Sequence, residues 1–233
     1  MMRQAFWFVA LGISALALAP QAAGAADDKT RARCAESDDD NVVIAACGAV
    51  VLAGDAAPAE LAIAHTNLCL AYNDRGDHDR AILDCDEAIR LSPDSVQAHL
   101  FRGHAYFNKG DYDKAIQDDD QAIALDSHTA STLVERAAAY HRKGDEAHAI
   151  ADLDQAILLD ANDPTAFYLR GVAHQAQSDN DRAIKDYDEA IRLAPHFSAT
   201  LYRRGTLRIQ MGDSKGGAAD IALARTINPR ISN

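Results

Sequence analysis

The chain has 233 residues, room for one or two domains, and carries 23 Lys plus Arg against 35 Asp plus Glu, a net charge of −12. An acidic, mixed surface excludes a broad nucleic-acid footprint, which needs a basic face. Aromatic residues make up only 6% and alanine is abundant, which fits a helical protein without a large aromatic core.

Residues 1–25, MMRQAFWFVALGISALALAPQAAGA, differ from the rest. One early charge at Arg3 is followed by an apolar run from Ala5 to Ala19, then Pro20 and the small-residue ending Ala23-Gly24-Ala25. This is the pattern of a secretory signal peptide cleaved before Ala26. The run is shorter than the ~20 residues of a spanning helix, and no later run is long enough to span. The expected mature chain is exported, into a bacterial periplasm or beyond. Cys34, Cys47, Cys69 and Cys85 all lie in it, where an oxidising compartment permits disulfides.

Residues 26–61 read as a degenerate helical pair closing the N-terminal end. Val43, Ile44, Cys47 and Val50 of NVVIAACGAVV match Ala81, Ile82, Cys85 and Ala88, with a 38-residue offset. The acidic run at 36–40 is a turn and N-cap.

From Ala62 to the end the sequence repeats every 34 residues without insertions. An Ala-Ile step stands at 81, 115, 149 and 183, and the turns read RGD, KGD, KGD, QSD and MGD at 75, 109, 143, 177 and 211. A fixed period in this range means stacked supersecondary units. In four of the five units the turn glycine ends a first helix, and in all five the Asp of the turn caps a second. The units are 62–95, 96–129, 130–163, 164–197 and 198–231. Small residues recur in the first helix (Gly103, Ala137, Gly171, Gly205) and in the second (Ala81, Ala115, Ala149, Ala183), and tyrosines at 72, 106 and 140.

On these residues the chain resembles the tetratricopeptide repeat family over residues 62–233. The family's tryptophan is absent; His65, His99, Leu133, Phe167 and Leu201 replace it. The resemblance implies an all-α fold, a right-handed superhelical α-solenoid of helix–turn–helix repeats. The last unit departs most, with Gly216-Gly217, Arg208 and Arg225 in place of more apolar residues, as suits a terminal repeat.

Asp84, Asp118, Asp152, Asp186 and Asp220 share one place in the unit, and Arg102, Arg136, Arg170 and Arg204 another. Charges this close to packed faces need partners. Pairing between successive units is the expectation: Asp84 with Arg102, Asp118 with Arg136, Asp152 with Arg170, Asp186 with Arg204. The first unit, with Leu68 in the arginine place, then meets an apolar neighbour at Ala46. Cys69 replaces the small residue and Cys85 the residue that is Tyr187 three units on. Two departures on facing helices favour a Cys69–Cys85 bond and leave Cys34–Cys47, with Cys47–Cys69 as the rival connectivity.

No chemistry of a catalyst is visible. There is no G-x-S-x-G, no P-loop, no C-x-x-C and no spaced zinc-ligand set, so no enzyme activity, cofactor or metal is expected. The DDD runs at 38–40 and 118–120 lack the calcium-loop spacing and read as caps and solvated faces. By the family's geometry, the concave face is lined by Leu100, His104 and Phe107, then Val134, Ala138, His141 and Arg142. Tyr168, Val172 and Gln175, then Tyr202, Thr206 and Ile209, continue it. This apolar and aromatic surface suits a peptide. The family's clamp for a chain-terminal carboxylate is missing, since Thr66, Leu70, Phe101, Ser131 and Glu135 stand at its places. The expected function is a non-enzymatic envelope scaffold that binds a protein or peptide partner. The alternative is an accessory subunit whose partner carries the chemistry.

Overall fold

A computed structural model describes residues 25–126 and 129–231. The predicted leader, Ala25 apart, lies outside the described residues. Twelve α-helices and no strand occur among them, arranged as six helical hairpins in sequence. The first pairs α1 (Asp28–Glu36) with α2 (Asp40–Ala53). Next come α3 (Pro58–Asp74) with α4 (His78–Leu91), and α5 (Val96–Lys109) with α6 (Tyr112–Leu125). Then follow α7 (Ala130–Lys143) with α8 (Glu146–Leu159), α9 (Pro164–Ala176) with α10 (Asn180–Leu193), and α11 (Ser198–Gln210) with α12 (Ser214–Ile227). From α5 on, the first helices start one period apart. The start of α3 falls one turn earlier than residue 62, because Pro58 sits in its first turn, where a missing N–H costs nothing.

The turns explain the hairpins. Gly110 and Gly144 take left-handed backbone (φ 81° and 80°), a conformation that costs other residues energy. Ser178 adopts it at φ 64° in the one turn of the five repeats without glycine. The next residue caps the second helix: Asp77, Asp111, Asp145, Asp179 and Asp213 each accept a hydrogen bond from a first-turn N–H.

Inside each of the five repeat hairpins, the small residue of the first helix meets a residue sixteen positions later on the second. Cys69 is bonded to Cys85. Ala137 and Leu153 share a core cluster. A Cβ on Gly171 would stand 2.7 Å from the Tyr187 ring, and one on Gly205 2.8 Å from Ile221. Tyr187 is fully buried and fills the space the glycine leaves. The two positions therefore vary together: a large filler requires glycine opposite, a leucine tolerates alanine, and two cysteines join.

The arginines do not pair as expected. Arg102 donates two parallel hydrogen bonds to Asp118 of its own hairpin, at 2.9 and 2.6 Å, rather than to Asp84. Arg136 pairs likewise with Asp152 (2.8 and 2.6 Å), Arg170 with Asp186 (3.0 and 2.6 Å) and Arg204 with Asp220 (2.8 and 2.7 Å). The physical reason is the same offset of sixteen, which sets these places opposite each other on facing helices. The third guanidinium nitrogen reaches back sixteen residues, to Asp86, Asp120, Asp154 and Asp188, at 2.6–2.7 Å. Successive hairpins are thus bridged by arginine, but through the aspartate two residues beyond the expected one. Asp84, with Leu68 instead of an arginine opposite, lies 2.7 Å from His65 Nδ1. Asp220 is doubly held, since Arg208 also donates to it at 3.0 Å.

At the N-terminal end, Cys34 and Cys47 are bonded and sit in one apolar cluster with Val43, Ala46, Val50 and Leu68. The second disulfide closes a loop of sixteen residues. In the chain-entropy picture such a loop is worth ~3 kcal/mol. The double change Cys69→Ala/Cys85→Ala should lower the unfolding free energy by that much, read as a lower urea midpoint. A midpoint equal to the parent's would show that the bond does not constrain the unfolded chain.

Candidate functional site

First helices of neighbouring hairpins touch as far as α9 (α3 with α5, α5 with α7, α7 with α9), α9 and α11 make no extended contact, and among the described residues no second helix is in extended contact with the second helix of the next hairpin. The stack therefore curves with the first helices inside. The expected groove residues divide sharply along this inner side. His104 is exposed and Phe107 half-buried, and they line one pocket together with Ala138. Leu100, Tyr168, Tyr202 and Thr206 are half-buried, while Arg142 and Ile209 are exposed.

Val134 and Val172 are buried, so they belong to the core rather than to an open groove. Val172 follows Gly171, where the two helices come closest, and it packs with Ala183, Tyr187 and Leu207. His141 is taken up by Glu146 at 2.9 Å, and Gln175 accepts the Tyr187 hydroxyl at 2.8 Å. Tyr168 stacks obliquely on Phe197 with ring centres 5.1 Å apart. Arg142 lies over the Phe107 and Tyr112 rings at 5.9 and 5.3 Å.

The pocket holds about 180 Å³ and is walled by Gly103, His104, Phe107, Asp119, Glu135 and Ala138. Asp119 and Glu135 were not among the expected groove residues. Asp119 belongs to the DDD run at 118–120, which is not the solvated face it resembles in sequence. Asp118 and Asp119 are buried, and only Asp120 is exposed. Asp118 turns to Arg102 and Asp120 to Arg136, while the buried Asp119 Oδ1 has no hydrogen-bond partner. Burial pushes the Asp119 carboxyl up to about 8. The charges of Glu135, Asp118 and Asp120 act the same way, and Arg136 only partly opposes them. Glu135 is exposed at the pocket rim, and desolvation by the helices around it still raises its carboxyl.

A sign of Asp119 was present in the sequence. Its equivalents one period apart are Cys85, Leu153, Tyr187 and Ile221, so it is the lone carboxylate in an apolar column. Among the described residues, no cluster of three or more His, Cys, Asp or Glu is placed to hold a metal ion, and no helix is long and apolar enough to cross a membrane.

The stacked hairpins and their 34-residue register can now be set beside known proteins. Residues 66–130, 130–163 and 164–197 match three family models of the tetratricopeptide repeat. The chain carries tetratricopeptide repeats. No curated protein matches it in sequence. Among solved structures, a tetratricopeptide repeat protein from Parabacteroides merdae is similar over 85% of this chain and 77% of its own, at 17% identity and a TM-score of 0.73. MamA from Desulfovibrio magneticus covers 76% of this chain and 99% of its own, at 19% identity and a TM-score of 0.66. YrrB, described as a tetratricopeptide repeat protein with an unusual peptide-binding site, covers 72% of this chain and 87% of its own, at 18% identity and a TM-score of 0.58. At these identities the likeness is one of fold. Tetratricopeptide repeats serve as protein-interaction modules, a role that rests on a shaped surface rather than on reacting groups.

Proposed function

We propose that the protein is a non-enzymatic scaffold of the bacterial cell envelope that holds a peptide segment of a partner protein along its first helices. The observation that carries this is the inner surface itself. Phe107, Tyr168 and Tyr202 stay half-buried beside open hydrogen-bonding groups, and a pocket opens between α5 and α7. Rigid aromatic walls with a few polar groups are the composition of peptide grooves. Export is supported by the leader-like first 25 residues and by two disulfides, which persist in oxidising compartments.

Selection of a displayed peptide library on the immobilised protein tests the groove. Selected peptides should lose at least tenfold in affinity, ~1.4 kcal/mol, on the Tyr168→Ala/Tyr202→Ala double variant. Peptides that bind both proteins equally would place the binding surface elsewhere. Fractionation of cells producing the full chain tests export: a mature chain beginning at Ala26 outside the cytoplasm is expected, and an uncleaved cytoplasmic chain would overturn it.

A further inference from the structure

We propose that the pocket between α5 and α7 is a subsite for the cationic side chain of a lysine or arginine in the bound segment. The proposal rests on the groove reading above and gives it a chemical preference.

The first support is Asp119 itself. It is 3% exposed, its Oδ1 lacks any hydrogen-bond partner, and it lines the pocket. A carboxyl buried without a partner is unfavourable, and the four equivalent positions show that the fold is satisfied by an apolar residue there. Gly103 keeps room for the acid, since a Cβ there would stand 3.1 Å from Oδ1.

The second support is the arrangement of charge. Glu135 is on the pocket wall facing the same space, and its charge opposes ionisation of Asp119. Two acids across one pocket are relieved by a cation placed between them. The protein does not supply one from the nearest arginines. Arg102 is held by Asp118 and Asp86, and Arg136 by Asp152 and Asp120. Arg142 lies over Phe107 and Tyr112 and is not part of the pocket wall.

The third support is shape and lining. About 180 Å³ admits the stem of a long side chain, and Phe107 and Ala138 offer it apolar walls. Phe107 already carries one guanidinium near its ring, so the ring is suited to a cation. A chain with a net charge of −12 also draws basic segments toward it.

Binding should depend on pH with a defined sign. A cation binds the ionised acid, so affinity rises about tenfold per pH unit until Asp119 is ionised near 8, then levels off. Asp118, Asp120 and Arg136 also surround the carboxyl, and Glu135 and His104 share the pocket.

The test uses the full mature chain and two acetylated, amidated tripeptides, Ala-Lys-Ala and its norleucine counterpart, followed by amide NMR. The lysine peptide should move the amides of Gly103, Phe107, Asp119 and Ala138 with a Kd in the ~1 mM range, and the norleucine peptide should leave them in place. Asp119→Asn, which keeps shape and removes charge, should weaken the lysine peptide tenfold or more, and Glu135→Gln severalfold. Equal shifts from both tripeptides, no shifts, or unchanged affinity on Asp119→Asn would overturn the subsite. The two readings fail separately. Library peptides that need Tyr168 and Tyr202 but ignore Asp119→Asn would keep the groove and remove the subsite. Lysine binding without any groove peptide would do the reverse.

Discussion

Replacing Asp119 with leucine should raise stability by on the order of 4 kcal/mol near pH 8, and by much less at pH 5. The argument starts from the acid's proton. Burial lifts the folded carboxyl from 3.8 to about 8, while the unfolded chain keeps the ordinary value. Between these two pH values the unfolded chain has released the proton and the folded chain holds it. Stability of the parent therefore falls as pH rises through that window, and the loss is complete above about 8. Leucine removes this slope and adds apolar contact, as Leu153 does against Ala137 in the next hairpin. Asparagine removes the slope too but leaves a buried polar group, so it gains less. Urea unfolding of the three proteins at pH 5 and pH 8 gives the result. Parent and leucine variant differing by the same amount at both pH values would show that the Asp119 proton is not held by the fold. The leucine variant should also lose the lysine tripeptide, so the acid costs stability at the same place where it gives the groove its preference.

The period of 34 made the hairpins readable, because Gly-Asp turns and paired small residues recur in phase and tie sequence to backbone directly. The disulfide partners were readable for a related reason, since Cys69 and Cys85 depart from the repeat at two positions that face each other. Partner choice among charges was harder. Asp84 and Asp86 are two letters apart, and only the sixteen-residue offset between facing helices decides which one an arginine reaches. Depth was harder again. Family geometry names the residues on the inner side but not how far each sinks, so Val134 and Val172 look like groove residues in sequence and are core in the fold. Asp119 was hidden by its neighbours: three aspartates in a row suggest one solvated face, yet a helix turns each by a different angle, toward Arg102, the pocket and Arg136.

Changing Arg136 to methionine should destabilise the protein by ~3–5 kcal/mol, far more than loss of a surface ion pair. Asp152 is only 7% exposed and receives both parallel hydrogen bonds of the guanidinium, so removing the arginine leaves a buried anion unpaired. The same change cuts the link to Asp120 of the preceding hairpin, so neighbouring repeats lose a bridge as well. Lys143→Met is the contrast. Its partner Asp113 is exposed and water screens the pair, so no comparable loss is expected. Changing Asp152 to leucine as well should recover most of the loss, because an apolar pair replaces the stranded charge. A loss below ~1 kcal/mol for Arg136→Met, or no recovery in the double variant, would mean that the arginines decorate the solenoid rather than hold it. The expected result makes them the joints of the stack: each is fixed by two hydrogen bonds within its own hairpin, which leaves one nitrogen rigidly aimed at the hairpin before.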